Sequence, residues 1–343
     1  MLMSRLKLHG NEKILIVRPD RIGDLVLALP VASLLKKDYP KLSIHFLASS
    51  YNASILKYAE YVDDYILMTD SKGNPLNIGK LTGLIEIQSY DMALFIKPGW
   101  RSALAVYLAG VPLRLGTSRR FYSFLFNRRV SLSRRNSNAH EVDLNIKMLN
   151  VFGLSYPAGT INPELDKELA QWPSIAGLNA GTDYIIVHPG SKGSAPNWPE
   201  SFYQELINEL AKDYKVVITG QGNELSGLPD STINLINKTD FAGLIGLISK
   251  AQLLISGGTG PLHVAAALGT PVLGLFPNRP ATGPQRWGPR GKYASFLAPD
   301  KQNDHICSVN GDGSCDCMKA IEIQTVYERA LKIVGQGRSD HEK

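Results

Sequence analysis

Apolar residues along this chain follow two alternating rhythms. Short β-rich runs at Lys13–Arg18 (KILIVR), Leu42–Ala48 (LSIHFLA) and Tyr90–Ile96 (YDMALFI) read as strands. Leu25–Lys37 and Ser102–Ala109 carry apolar residues at helical spacing, and Pro30 is expected to bend the first. The pattern lapses over Asn162–Gly181, where Pro163, Pro173, Gly177 and Gly181 read as a linker. It then restarts. Strands at Tyr184–His188, Lys215–Thr219, Leu253–Ser256 and Val272–Phe276 alternate with helices at Phe202–Lys212, Phe241–Ser249 and Pro261–Leu268. A last helix covers Glu322–Val334. Such alternation predicts βαβ units around parallel sheets. The expected architecture is α/β: two Rossmann-like domains, residues 1–172 and 173–321, whose parallel sheets face an interdomain cleft. Residues 322–343 are expected to cross back to the first domain. The halves open alike, KILIVRPDRIGD against YIIVHPGSKGS.

Open parallel sheets bind ligands beyond the carboxyl ends of their strands, and the glycine-rich turns fall there. After Leu253–Ser256 come Gly257, Gly258, Thr259, Gly260, Pro261, Leu262 and His263. Proline suits a first helical turn, threonine suits the cap, and glycines let a ligand approach backbone N–H groups. A helix start with open amides is an anion site; a ligand-free capped turn is the plainer alternative. Gly190, Ser191 and Lys192 offer donors and an ammonium after Tyr184–His188, and Gly220 to Glu224 follow the next strand. In the first half, Arg18-Pro19-Asp20-Arg21-Ile22-Gly23-Asp24 joins strand to helix. Asp24 alone also reads as a helix cap, worth about 1 kcal/mol.

Composition narrows the picture modestly. The 343 residues are 44% hydrophobic and 20% charged, an ordinary globular balance. No apolar run is long enough for a membrane span and no secretory leader is evident, so a cytoplasmic location is expected. Cys307, Cys315 and Cys317 form no CxxC pair and read as reduced thiols. The net charge of +6 is uneven: Arg101 to Lys147 holds nine Lys/Arg against Glu141 and Asp143. Phe121, Tyr122, Phe124 and Phe126 interleave with these cations, a pattern suited to an anionic partner or simply to a solvated face. P-loop, dinucleotide and HExxH motifs are missing, and no D-x-D pair is present to hold a divalent ion between phosphates. A mechanism without metal or cofactor is therefore expected.

These motifs together resemble glycosyltransferase family 9, the ADP-heptose:lipopolysaccharide heptosyltransferases. The resemblance lies in R-P-D-R-I-G-D, H-P-G-S, N-W-P and T-G-P-L-H-V-A-A-A-L-G-T-P-V, with Arg101-Ser102-Ala103, His140-Glu141-Val142-Asp143, Arg286-Trp287-Gly288-Pro289 and Cys317-Met318-Lys319-Ala320 beside them. It runs from about residue 13 to 335. It implies a GT-B fold and inverting transfer of a heptose from a nucleotide-sugar donor, ADP-heptose, to the lipopolysaccharide inner core. Asp24 matches the family's general base, Thr259, Gly260 and His263 its phosphate turn, and Glu224 an acid that contacts the ribose. Two positions depart from the pattern: Pro196 replaces a lysine and Gly258 an aspartate. Arg18, Arg21, Arg101, Arg119 and Arg120, with Arg128 and Arg129, are expected to hold a phosphorylated glycolipid acceptor and to bring the enzyme to the inner leaflet. No nucleic-acid partner is expected. The alternatives are a non-catalytic scaffold that binds a nucleotide sugar or glycolipid, and a nucleotide-sugar epimerase.

Overall fold

The computed structural model describes residues 6–341, except 133, 135–137, 180, 191–192, 194–195, 223–224 and 301–315. The chain divides into two compact units, Met1–Leu165 and Asp166–Lys343. The division falls before the expected boundary because residues 166–173 already belong to the second unit. The Trp172 ring lies 6.1 Å from that of Tyr184, and Pro173 packs beside Gly246.

The first unit holds six parallel strands: β1 (Lys13–Val17), β2 (Ser43–Ala48), β3 (Asp64–Leu67), β4 (Met92–Phe95), β5 (Leu113–Thr117) and β6 (Arg128–Val130). Their order is β3-β2-β1-β4-β5-β6, with Ile14 in register with Ile44 on one side and Met92 on the other. The central strands are apolar throughout because helices cover both faces. These helices are α1 (Ile22–Val26), α2 (Leu29–Asp38), α3 (Ile78–Glu86), α4 (Trp100–Leu108) and α5 (Glu141–Ile146). The single bent helix expected over Leu25–Lys37 is two helices. The break falls at Leu27 and Ala28, and Pro30 sits in the first turn of α2, where its missing N–H breaks no bond.

The second unit repeats the plan. Its strands are β7 (Tyr184–His188), β8 (Lys215–Gly220), β9 (Ile233–Ile236), β10 (Leu253–Gly257), β11 (Val272–Leu275) and β12 (Ala294–Leu297). They run β12-β11-β10-β7-β8-β9, the same order as the first sheet counted from β7. Hence KILIV and YIIVH look alike: each is the first, central strand of its sheet. The helices are α6 (Glu200–Leu210), α7 (Phe241–Lys250), α8 (Gly260–Ala267), α9 (Pro284–Trp287) and α10 (Ile323–His341). Val326, Ala330 and Val334 of α10 are buried in the core formed by Leu206, Ile207 and Ile255. The apolar face of α10 thus packs on the second unit. Trp198, 1% exposed, donates from Nε1 to the Ile321 oxygen at 2.9 Å and ties the N-W-P segment to this region.

Candidate active site

The chain leaves β1 through Arg18, whose N–H still donates to Leu47 O at 3.1 Å. Buried Asn52 secures the next turn, donating from Nδ2 to the backbone oxygens of Arg18 (3.4 Å) and Asp20 (3.0 Å). The Arg18 side chain turns inward and is 2% exposed. Its Nε meets Asp20 Oδ1 at 2.9 Å, one terminal nitrogen meets Asp24, and the other meets Glu141 Oε1 at 3.4 Å. Glu141, at the start of α5, also receives Arg134 Nε at 2.9 Å. Arg134 donates further to Asn145 Oδ1, and Asn145 Nδ2 to Leu27 O, each at 2.9 Å. Lys97, just past β4 and 56% exposed, stands 3.7 Å from Asp20. One buried guanidinium therefore organises three carboxylates at the carboxyl end of the sheet.

Asp24 is the third residue of α1. The N-cap is Arg21, which makes no side-chain cap bond, so Asp24 is not the helix cap. It keeps 17% of its surface while Glu141 keeps 1%. Burial lifts the Asp24 carboxyl above its ordinary value; Arg18 opposes this, while Asp20 and Glu141 reinforce it. Desolvation is thus the larger influence on this carboxyl.

The expected acceptor residues separate. Arg18 is enclosed by three carboxylates and is not available to an acceptor. Its role is to hold Asp24. Arg21 is exposed at the start of α1. Arg101 lies in the first turn of α4 and donates to Leu76 O at 2.7 Å. Arg119 and Arg120 are exposed on the turn that follows β5. Glu141, Arg134, Lys97 and Asn52 were not singled out from the sequence as site residues. The strand-end position of Lys97 and the H-E-V-D motif that holds Glu141 offered local signals.

In the second unit, β10, β7 and β8 are neighbours, with Ser256 in register with His188. Their carboxyl-end turns therefore lie side by side. Gly190 adopts φ +86°, which only glycine takes readily. A Cβ added to Gly220 would sit 3.5 Å from the Pro189 oxygen. Asn237 closes the following turn, accepting from Gly222 N at 3.0 Å and donating to its oxygen at 2.8 Å. Thr259 is the N-cap of α8, yet its hydroxyl pairs with Ser256 Oγ at 2.8 Å and does not cap the helix. His263 is buried one turn in. Burial pushes His188 down to about 4, so it is neutral, with Nδ1 2.9 Å from the Thr219 hydroxyl. The structure brings together Gly190, Gly220, Gly258, Thr259, Gly260, Pro261, Leu262 and His263. Ser191, Lys192 and Glu224 lie outside the described residues, as do Cys307 and Cys315. Cys317 packs partly buried against the second core.

The two departures have structural settings. Pro196 is buried. At Gly258 an added Cβ would stand 2.7 Å from Cε1 of Phe276, whose fully buried ring also crosses Gly274. The ring fills the space that a side chain at 258 would need.

Two Rossmann-like units of this strand order match the GT-B fold, and solved proteins share it. A family 9 glycosyl transferase of Veillonella parvula matches with TM-score 0.79 and 19% identity, over 97% of this chain and 99% of that one. Escherichia coli ADP-heptose lipopolysaccharide heptosyltransferase II matches with TM-score 0.76 and 24% identity, over 95% and 99%. By sequence, a Haemophilus influenzae protein described only provisionally as a glycosyltransferase is 28% identical over 312 residues, 84% of this chain and 90% of that one. Lipopolysaccharide heptosyltransferase 2 of Salmonella typhimurium is 27% identical over 299 residues, 77% and 82%. Residues 78–312, more than half of the chain, match the model of glycosyltransferase family 9 (heptosyltransferase). The chain belongs to that family and is a glycosyltransferase.

Proposed function

We propose that this enzyme transfers a heptose from ADP-heptose to the lipopolysaccharide inner core, with inversion and without a metal, in the cytoplasm at the inner face of the inner membrane. Family membership and the names of the relatives support the sugar and the acceptor. The observation that carries the mechanism is Asp24, a partly exposed carboxylate oriented by a buried arginine. The donor lies on the second unit with its diphosphate at the start of α8. An acceptor hydroxyl attacks the anomeric carbon on the face opposite ADP. The new C–O bond forms as the bond to ADP breaks, and the hydroxyl proton passes to Asp24. Burial makes Asp24 a stronger base than an ordinary carboxylate, while Arg18 favours its ionised form. ADP departs with new negative charge on a phosphate oxygen. The α8 amides, which Thr259 leaves uncapped, stabilise that charge together with Lys192. Glu224 takes the ribose. Arg21 and Arg101 meet the anionic inner core, and Arg119 and Arg120 meet phosphates nearer its lipid.

The test is incubation of the purified chain with ADP-heptose and lipopolysaccharide truncated before its heptoses, in excess EDTA. The acceptor should gain the mass of one heptose with an inverted anomeric centre, and one ADP should be released per transfer. ADP release without sugar on the acceptor would contradict transfer. Activity that vanishes in EDTA and returns with a divalent ion would contradict the metal-free step.

A further inference from the structure

Two phenylalanines of the first unit stand in water, Phe121 at 85% and Phe124 at 71% exposure. They are not on a loose segment. Tyr122, Ser123, Leu125 and Phe126 between and beside them are buried. The Tyr122 hydroxyl donates to Pro98 O at 2.9 Å, Ser123 Oγ to Thr117 O at 2.7 Å, and Arg120 N to Ser123 Oγ at 3.0 Å. The Phe126 ring rests 4.8 Å from that of Phe95. A single 3-10 turn, Ser123–Leu125, is thus anchored from below and holds both phenyl rings outward. Arg119 and Arg120 precede it, exposed and without a carboxylate partner among the described residues. From Arg101 to Val130 the chain carries six arginines and no aspartate or glutamate. Trp100, 47% exposed, opens α4 beyond β4, at the same end of the sheet as this turn, with the Arg101 guanidinium 5.5 Å from its ring centre.

Rigidly displayed aromatic rings beside unpaired cations mark a surface built for a partner that is both apolar and anionic. We propose that residues 119–124 seat the enzyme on an anionic lipid bilayer. Phe121 and Phe124 enter the headgroup–acyl boundary, and Arg119 and Arg120 engage lipid phosphates. A bilayer rich in acidic lipid offers an unbroken field of negative charge above an apolar layer, which suits a thirty-residue stretch free of acids. The proposed transfer to a lipid-anchored acceptor gives this surface its use, while the exposed phenyl rings stand apart from that reading.

The full chain, with no donor or acceptor present, is sedimented with phosphatidylcholine vesicles and with vesicles that also contain phosphatidylglycerol. It should bind the second kind selectively, and binding should fall as salt rises. Phe121→Ser with Phe124→Ser should weaken the partition about tenfold or more, as should Arg119→Ser with Arg120→Ser. Melting temperatures should hold, because these side chains lie in water. Phe121→Trp with Phe124→Trp should keep binding, and indole emission should shift to the blue on anionic vesicles. No binding by the unaltered chain, equal binding to both vesicle kinds, undiminished binding of the serine pair, or tryptophans that stay in water would each overturn the proposal. Because no sugar transfer is measured, such a failure would leave the glycosyltransferase reading intact.

Discussion

At the end of β1 the chain gathers Asp20, Asp24 and Glu141 around one buried guanidinium. At the corresponding end of β7 it places a neutral histidine bonded to a threonine hydroxyl, beside turns of glycine and open amides. The two sheets share a strand order, so the contrast lies in what they display. The first end works through side-chain charge in fixed proportion, and a single substitution unbalances it. The second works through backbone donors, which side-chain substitution barely touches unless shape is disturbed. A site that takes up a proton needs a tunable carboxylate, whereas one that holds a diphosphate needs amides already in place.

The largest expected effect follows from removing the organiser. Arg18→Met leaves three carboxylates without their shared cation and should destabilise the first unit by about 3–5 kcal/mol. For a unit of this size each kcal/mol lowers Tm by about 2–4 °C. A thermal scan showing no loss would mean the cluster is not held by Arg18. Next is Gly258→Asp, which drives a side chain into the buried Phe276 ring and should cost about 1–3 kcal/mol by overpacking. Phe276→Ala alone should cost about 3–5 kcal/mol, and the two changes together should cost less than the sum of their separate losses. Additive losses in the double variant would show that the ring is not the obstacle. The mildest is Glu141→Gln. Glu141 shares Arg18 with Asp24 and pushes the Asp24 carboxyl up, so its neutralisation leaves more of Arg18 for Asp24. Asp24 must be ionised to accept a proton, and its activity is lost as pH falls through its raised value. The acid limb of kcat/KM should therefore move to lower pH in the glutamine variant. An unmoved limb, or one displaced upward, would break the link between Glu141 and Asp24.

How much of this was legible in the sequence depended on distance along the chain. The central strands β1, β4, β7, β8 and β10 announced themselves because strands covered on both faces are apolar throughout. Edge strands such as β6, read as RRV, and β3, as DYIL, carry no such signature. The glycine-rich turns were visible because they join consecutive elements. The charged cluster was not, since Glu141 lies 123 residues from Arg18 and no local pattern shows that α5 packs beside α2 and brings Glu141 to Arg18. The burial of Arg18 reversed the expectation that it would be available to an acceptor, while the desolvation of Asp24, which Arg18 opposes, raises the proton affinity of that carboxyl. For α10 the helical period was evident, but periodicity states only that one face is covered, not which unit covers it.

In the proposed mechanism Asp24 is the base while ADP is held elsewhere, and one paired measurement separates the two roles. In Asp24→Asn, the carboxylate is replaced by a group of the same shape that still accepts a hydrogen bond from Arg18. Its kcat for sugar transfer should fall by about 10²–10⁴-fold, with ADP affinity by calorimetry unchanged. A variant that turns over at close to the original rate, or that loses ADP binding along with activity, would contradict the division of labour between the two sheet ends.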